Sequence, residues 1–211
     1  MPPPPAHPVI ALILAGGAGA RHGGAIKANL PLSGTRFLDH VRARLDPALP
    51  VLLSIGPHAA ELFAPLGGLM PLPDAAPGLG PLTGIRAAAE TPLATGAQWL
   101  LTVAVDAPLV PRDLLPRLLS AAGGAAAAVA THQGQWHPTH ALYRLDALRP
   151  ALAHLPAGVG PRALLDSLGA IPVAFAEEQG LDPFTSANTP EALKRLEDAV
   201  FSGEPRSAPE V

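Results

Sequence analysis

Apolar positions along this chain fall into unbroken runs or into stripes three to four residues apart, and the two patterns alternate. Val9 to Leu14 is an unbroken run, the pattern of a strand buried on both faces. A helix is expected over 35–45, where Leu38, Val41 and Leu45 share a face and Pro47 stops the pattern, with no helix starting before Pro31. Residues 50–55 read as a second strand, 58–64 as a short helix, 69–72 as a third strand and 82–91 as a helix entered through the small Thr83 and Gly84. The most apolar stretch, 98–105, predicts the central strand. An amphipathic helix over 111–122 has Pro111 in its first turn. A hairpin of 125–131 and 136–143 follows, then helices over 145–155 and 161–168, a strand over 171–175, a loop over 181–188 and a helix over 189–200. This order predicts an α/β fold of three layers, a mostly parallel sheet with helices on both faces.

Two features converge at the carboxyl rim of such a sheet, where ligands of open α/β folds bind. The first strand breaks into Ala15, Gly16, Gly17, Gly19, Gly23 and Gly24, a loop whose backbone N–H groups turn inward toward an anion. Its two cations, Arg21 and Lys27, can neutralise a polyphosphate. The loop is neither a Walker A sequence, since Lys27 is followed by Ala28, nor a dinucleotide fingerprint, since Gly17-Ala18-Gly19 is followed by Ala20, Arg21 and His22 before Gly23. The central strand ends at Asp106-Ala107-Pro108, and Asp106 reads either as a Mg²⁺ ligand or as an ordinary turn residue. Asp74 opens a loop, as a turn former or as a ligand of base or metal. His132, His137 and His140 match no zinc spacing, and on an extended strand His137 and His140 point to opposite faces.

With 211 residues, a formal charge of -3 and no cysteine, the chain offers one core, no basic field for nucleic acid, and neither disulfides nor thiolate chemistry. No apolar run is long enough to span a bilayer, and MPPPPAHP lacks the features of a secretory signal, so a cytoplasmic enzyme without nucleic-acid or membrane partners is expected. Residues 1–8 read as a disordered leader and 201–211 as a disordered tail around a single domain, 9–200.

Taken together, these residues resemble the molybdenum cofactor guanylyltransferases. The matching pieces are Leu14-Ala15-Gly16-Gly17 with Arg21, Gly23, Gly24 and Lys27; residues 40–45; Asp74; residues 80–84; Asp106-Ala107-Pro108; His137-Pro138-Thr139; and Phe184 with residues 188–193. The resemblance implies a Rossmann-like nucleotidyltransferase, with a nucleotide-binding half over 9–122 and an acceptor-binding half over 123–200. It implies transfer of GMP from GTP to the terminal phosphate of the molybdenum-molybdopterin cofactor, with Mg²⁺ as cofactor and pyrophosphate released. The implied catalytic residues are Lys27, Arg21 and Asp106. Leu14, Ala15, Gly16, Gly17, Gly24, Lys27, Ser54, Asp74 and Asp106 would hold the nucleotide, with Asp106 as the metal ligand. His137, Pro138, Asn188 and Thr189 would face the acceptor, and chaperones of molybdoenzymes would be further partners of a monomer or weak oligomer. Ile26, Ser54 and Ser186 depart from the family pattern, which carries Asp before the loop lysine and asparagines at or near the other two positions. Two other readings remain open: a cytidylyl or sugar-phosphate nucleotidyltransferase, and a non-catalytic nucleotide- or cofactor-binding homologue.

Overall fold

Val9–Leu14 forms β1, and its neighbours in the sheet are parallel on both sides, so every side chain along it meets protein. The computed structural model describes residues 9–16, 26–73, 80–156 and 158–203, the last three by backbone alone. The expected leader 1–8, most of the glycine loop including Gly17, Arg21 and Gly24, the 74–79 loop with Asp74, and 204–211 lie outside the described residues.

The sheet has seven strands: β1, β4 (Val51–Gly56), β5 (Met70–Pro73), β6 (Trp99–Ala104), β7 (Ala127–His132), β8 (Gln135–Arg144) and β9 (Ile171–Ala174). Their order is β5-β4-β1-β6-β8-β7-β9, with β6 in the middle, as its apolar run predicts. All run parallel except β8, which is antiparallel to both of its neighbours. Reversal of β8 brings its first residues to the rim where β1, β4 and β6 end. Both edge strands carry proline, Pro71 and Pro73 in β5 and Pro172 in β9, which removes ladder donors where another chain would pair.

Alternate residues of the strands feed two apolar layers. On one face Ile13, Leu53, Val103 and Leu142 pack with α1 (Phe37–Arg44), α3 (Leu114–Ala122) and α6 (Pro190–Gly203) through Leu38, Leu118 and Leu196. On the other, Leu12, Leu52, Leu100 and Tyr143 pack with α2 (Pro81–Glu90), α4 (Leu145–His154) and α5 (Pro161–Ser167) through Ile85, Leu148 and Leu164. The three-layer architecture follows. Among the described residues, no helix is long and apolar enough to cross a membrane.

Several local expectations are corrected. Thr35–Arg36 is not helical but forms β3, paired with β2 (Pro31–Leu32) across a turn in which Ser33 and Gly34 have φ of 49° and 82°. The Arg36 guanidinium then binds the carbonyls of Phe63, Ala64 and Pro65. A single 3-10 turn, Lys27–Asn29, precedes Pro31, and another, Ala60–Phe63, replaces the short helix expected over 58–64. Helix α3 starts at Leu114 rather than Pro111. Starting there puts Pro116 in the first turn, where its missing N–H needs no partner; a helix from Pro111 would demand that donor. Helix α6 runs on to Gly203, into the range read as tail.

Strand β8 holds the correction with most consequence. Val129 pairs with Ala141, but Thr131 pairs with Trp136, so β8 has several more residues than β7 between the two pairs. The surplus is a bulge containing Pro138, which could not donate to a regular ladder. It turns His137 to the same side as His140, and both rings pack on Phe184 at 4.6 and 4.9 Å between centroids.

Candidate active site

Strand β1 delivers Leu14, Ala15 and Gly16 to the carboxyl rim, and their backbone is largely committed to the sheet. The Leu14 carbonyl accepts from the Val105 N–H at 3.1 Å, and the Ala15 N–H donates to the Ser54 carbonyl at 3.0 Å. A Cβ on Gly16 would lie 2.5 Å from the Gly56 nitrogen, and one on Gly56, whose φ is +60°, would lie 2.6 Å from the Gly16 oxygen. The glycine is therefore needed for the close approach of two strand ends, before any ligand is considered. Ser54 is buried under α2: a Cβ on Gly84 would come within 2.6 Å of its Oγ. The small residues at the α2 entry let the helix settle on Ser54 and Leu14 of the sheet.

Lys27 returns from the loop on its 3-10 turn, with Ile26 packed against the core beside it. An apolar neighbour at this point anchors the base of the loop. The Lys27 Nζ lies 3.3 Å from Asp106 Oδ2, and both side chains keep about a fifth of their surface exposed, at 21% and 19%. The same ammonium donates to the Asn188 Oδ1. Asn188 is carried there by the 181–188 loop, whose Ala187 N–H donates to the Asp106 carbonyl at 2.8 Å. Lys27, Asp106 and Asn188, far apart in sequence, thus form one cradle at the middle of the sheet rim. A carboxylate oxygen and an amide oxygen already converge on a cation, the donor types that hard divalent ions take. Among the described residues no group of three or more His, Cys, Asp or Glu could hold a metal, so a metal here would need oxygens from substrate or water as well.

His137 packs on Phe184, in the loop that carries Asn188. Its Nε2 is 3.4 Å from Asp182 Oδ2 but makes no well-aligned hydrogen bond, and burial lowers its pKa against the opposing pull of Asp182. His140 is buried and held neutral, with a pKa pushed down to about 3 by desolvation and then by His137. His132, also buried, donates its Nδ1–H to the Phe175 carbonyl at 3.0 Å. Pro138 sits in the bulge, and Thr189 caps α6, its Oγ1 accepting the Ala192 N–H at 3.2 Å. Asp182 was not singled out by the sequence, and His140 was weighed there only as a zinc ligand and rejected. Asp182 carries no local signal, since its partner His137 lies 45 positions earlier, a contact only the tertiary fold creates.

The sequence profile of the MobA-like NTP transferase domain matches residues 11–171. The molybdenum cofactor guanylyltransferase of Acidiphilium cryptum is 39% identical over 191 residues, covering 89% of this chain and 93% of the relative. The chain belongs to the molybdenum cofactor guanylyltransferase family, within the MobA-like NTP transferases. The Rhodobacter capsulatus member is 37% identical over 199 residues, covering 93% of this chain and 99% of that one. Membership makes this chain a nucleotidyltransferase. Solved structures agree on the fold: molybdopterin-guanine dinucleotide biosynthesis protein A of Archaeoglobus fulgidus aligns with a TM-score of 0.66 at 22% identity, covering 91% of this chain and 98% of that one. The 2-C-methyl-D-erythritol 4-phosphate cytidylyltransferase of Thermus thermophilus aligns almost as well, at 0.65 and 21%, over 91% and 98%. Architecture is thus shared between guanylyl- and cytidylyltransferases, and the choice of nucleotide rests on the chain's own residues and its nearer relatives.

Proposed function

We propose that this chain transfers GMP from GTP to the terminal phosphate of the molybdenum-molybdopterin cofactor. The observation that carries the reading is the cradle in which Lys27 bridges Asp106 and Asn188 at the end of the central strand. An oxygen of the acceptor phosphate attacks the α-phosphorus of GTP, a P–O bond forms there, and the bond to the β-phosphate oxygen breaks to release pyrophosphate. An acceptor phosphate with a second pKa of about 6 is already ionised at neutral pH, so no general base is required. The chain's contribution is positioning and charge neutralisation.

Lys27 reaches the phosphates as a point charge, exchanging part of its contact with Asp106 and Asn188 for the incoming anion. Asp106 and the Asn188 amide oxygen would hold Mg²⁺, which polarises the phosphoryl oxygens when bound. Leu14, Ala15 and Gly16 shape the nucleotide side, with Ser54 behind them; Arg21, Gly17, Gly24 and Asp74 join this reading on sequence alone. In this reading the half 123–200 takes the acceptor, with His137, Pro138, Asn188 and Thr189 toward it, and the half 9–122 takes the nucleotide. GTP and the molybdopterin cofactor are then the partners, chaperones of molybdoenzymes are further ones, and the compartment is the cytoplasm.

The test is direct. GTP, CTP and UTP are each added with Mg²⁺ in a thermal-shift assay, and pyrophosphate release is followed with the acceptor present. At about a hundred times Kd the preferred nucleotide stabilises by about 2.7 kcal/mol. GTP is expected to raise the midpoint most, and Asp106→Asn to lose transfer while remaining folded. A larger shift with CTP or UTP would move the reading to those transferases, and nucleotide binding without turnover would make the chain a binding homologue.

A further inference from the structure

His140 lies outside the residues assigned to the site, yet both halves of the cradle are referenced to its ring. The β6–β8 ladder ends at the pair Thr102 and Ala141. Alternate amides of β6 point toward β8, and the next one, Ala104 N–H, falls beyond that last pair. It donates to the His140 Nε2 at 3.4 Å. A neutral imidazole accepting at Nε2 carries its proton on Nδ1, which lies 3.3 Å from the Thr139 Oγ1. The ring therefore stands in for a strand at the point where β6 turns into Val105 and Asp106.

Its face does a second task. Phe184 packs on His140 with centroids 4.9 Å apart and is closed in by His137 at 4.6 Å and Phe175 at 5.3 Å. The Asp182 Oδ1 accepts the Phe184 N–H at 2.8 Å, which fixes the turn that presents the ring. From Phe184 the loop continues to Ala187, bonded to the Asp106 carbonyl, and to Asn188 on Lys27. One edge of the imidazole thus sets the end of β6, and its face sets the loop that must meet it.

We infer that His140 is a positioning residue: its buried ring fixes Asp106 and Asn188 relative to each other and thereby sets the cradle that holds Lys27. The kinetic consequence rests on the guanylyl-transfer reading; the geometric one does not. Two variants separate the bond from the bulk, His140→Leu, which keeps an apolar side chain but no acceptor, and His140→Gln, whose Oε1 can still accept the Ala104 N–H.

Both are compared with wild type by amide hydrogen exchange at Ala104 and Ala187, at matched global stability, and by steady-state transfer with Mg²⁺ and GTP. His140→Leu is expected to speed exchange at both amides by about tenfold and to lower kcat by a similar factor, with KM for GTP within about threefold. His140→Gln, which keeps the acceptor but not the ring face, is expected to return exchange at Ala104 to within about threefold of wild type while Ala187 stays fast. Exchange at Ala187 and kcat unchanged in His140→Leu, or exchange at Ala104 as fast in Gln as in Leu, would overturn the inference. If wild type transfers no GMP, the functional reading falls, and exchange at Ala104 and Ala187 in the two variants still decides the positioning role. Should His140→Leu fail to fold, Phe184→Leu takes its place: faster exchange at Ala187 with Ala104 still protected supports the linkage, and no change at Ala187 refutes it.

Discussion

The neutral state of His140 predicts a specific weakness to acid. Its pKa of about 3 in the folded chain compares with about 6.5 for an imidazole in water, and the first cause is desolvation, with His137 adding to it. Between those values the unfolded chain binds a proton that the folded chain refuses, so stability rises with pH across the window and is lost as the pH falls from 6.5 toward 3. Above about pH 7.5 the group contributes almost no pH dependence. A single such proton gives a slope approaching about 1.4 kcal/mol per pH unit, and integrating from pH 6 to pH 4 gives a loss of about 2 to 3 kcal/mol. His140→Gln keeps the acceptor for the Ala104 N–H but does not titrate. Urea unfolding of wild type and variant at pH 7, 6, 5 and 4 therefore isolates the term, because His137 and the carboxylates are common to both. The variant is expected to be the flatter of the two, by about 2 to 3 kcal/mol between pH 6 and pH 4, at unchanged m-value. Parallel curves would show that His140 is protonated, or reached by water, in the folded chain, and the argument from its burial would fail.

Other substitutions test the packing and the cradle. Gly84→Ala gains about 1 kcal/mol of helix propensity but drives a Cβ to 3.0 Å from the Ser54 Cβ, so a net loss of about 1 kcal/mol and a midpoint a few degrees lower are expected by thermal melting. Gly16→Ala meets the backbone of Gly56 rather than a side chain that can move, so a larger loss, about 3 kcal/mol or more in urea titration, is expected together with loss of the nucleotide-induced thermal shift. Asn188→Ala leaves Lys27 held by Asp106 alone, so pyrophosphate release is expected to slow by about tenfold or more with the melting midpoint within a few degrees of wild type. A full rate in that variant would remove Asn188 from the site.

The strands that build the rim were legible because their signal is local. Val9–Leu14, Val51–Gly56 and Trp99–Ala104 are apolar on both faces, and only a sheet covered by helices on two sides accepts such runs. The expected rim position of Asp106 followed from the last of them. Glycine at position 16 was read from the sequence for approach to a ligand; the fold adds a second reason for it, the close approach to Gly56 of the adjacent strand, which only the β1–β4 pairing reveals. The β2–β3 hairpin was hidden because its strands are two residues each, too short for any period to register.

The misplacement with most consequence came through registry. His137 and His140 are three apart, and on a regular strand that parity separates them. Pro138 between them was the available warning, since a proline in a paired strand asks for a bulge. Once the bulge is granted, the two rings share a face, Phe184 has a socket, and the loop from Leu181 onward has a fixed end point. Asn188 then reaches Lys27, 161 residues away in sequence, and no pairwise pattern in the chain announces that contact. The acid and the base of the cradle were thus readable one at a time from strand ends and glycines. Their distance from each other is referred to an uncharged histidine and a phenylalanine, of which the sequence offered the first only as a rejected zinc ligand and the second only as a point of family resemblance, because the contact between them exists only in the fold.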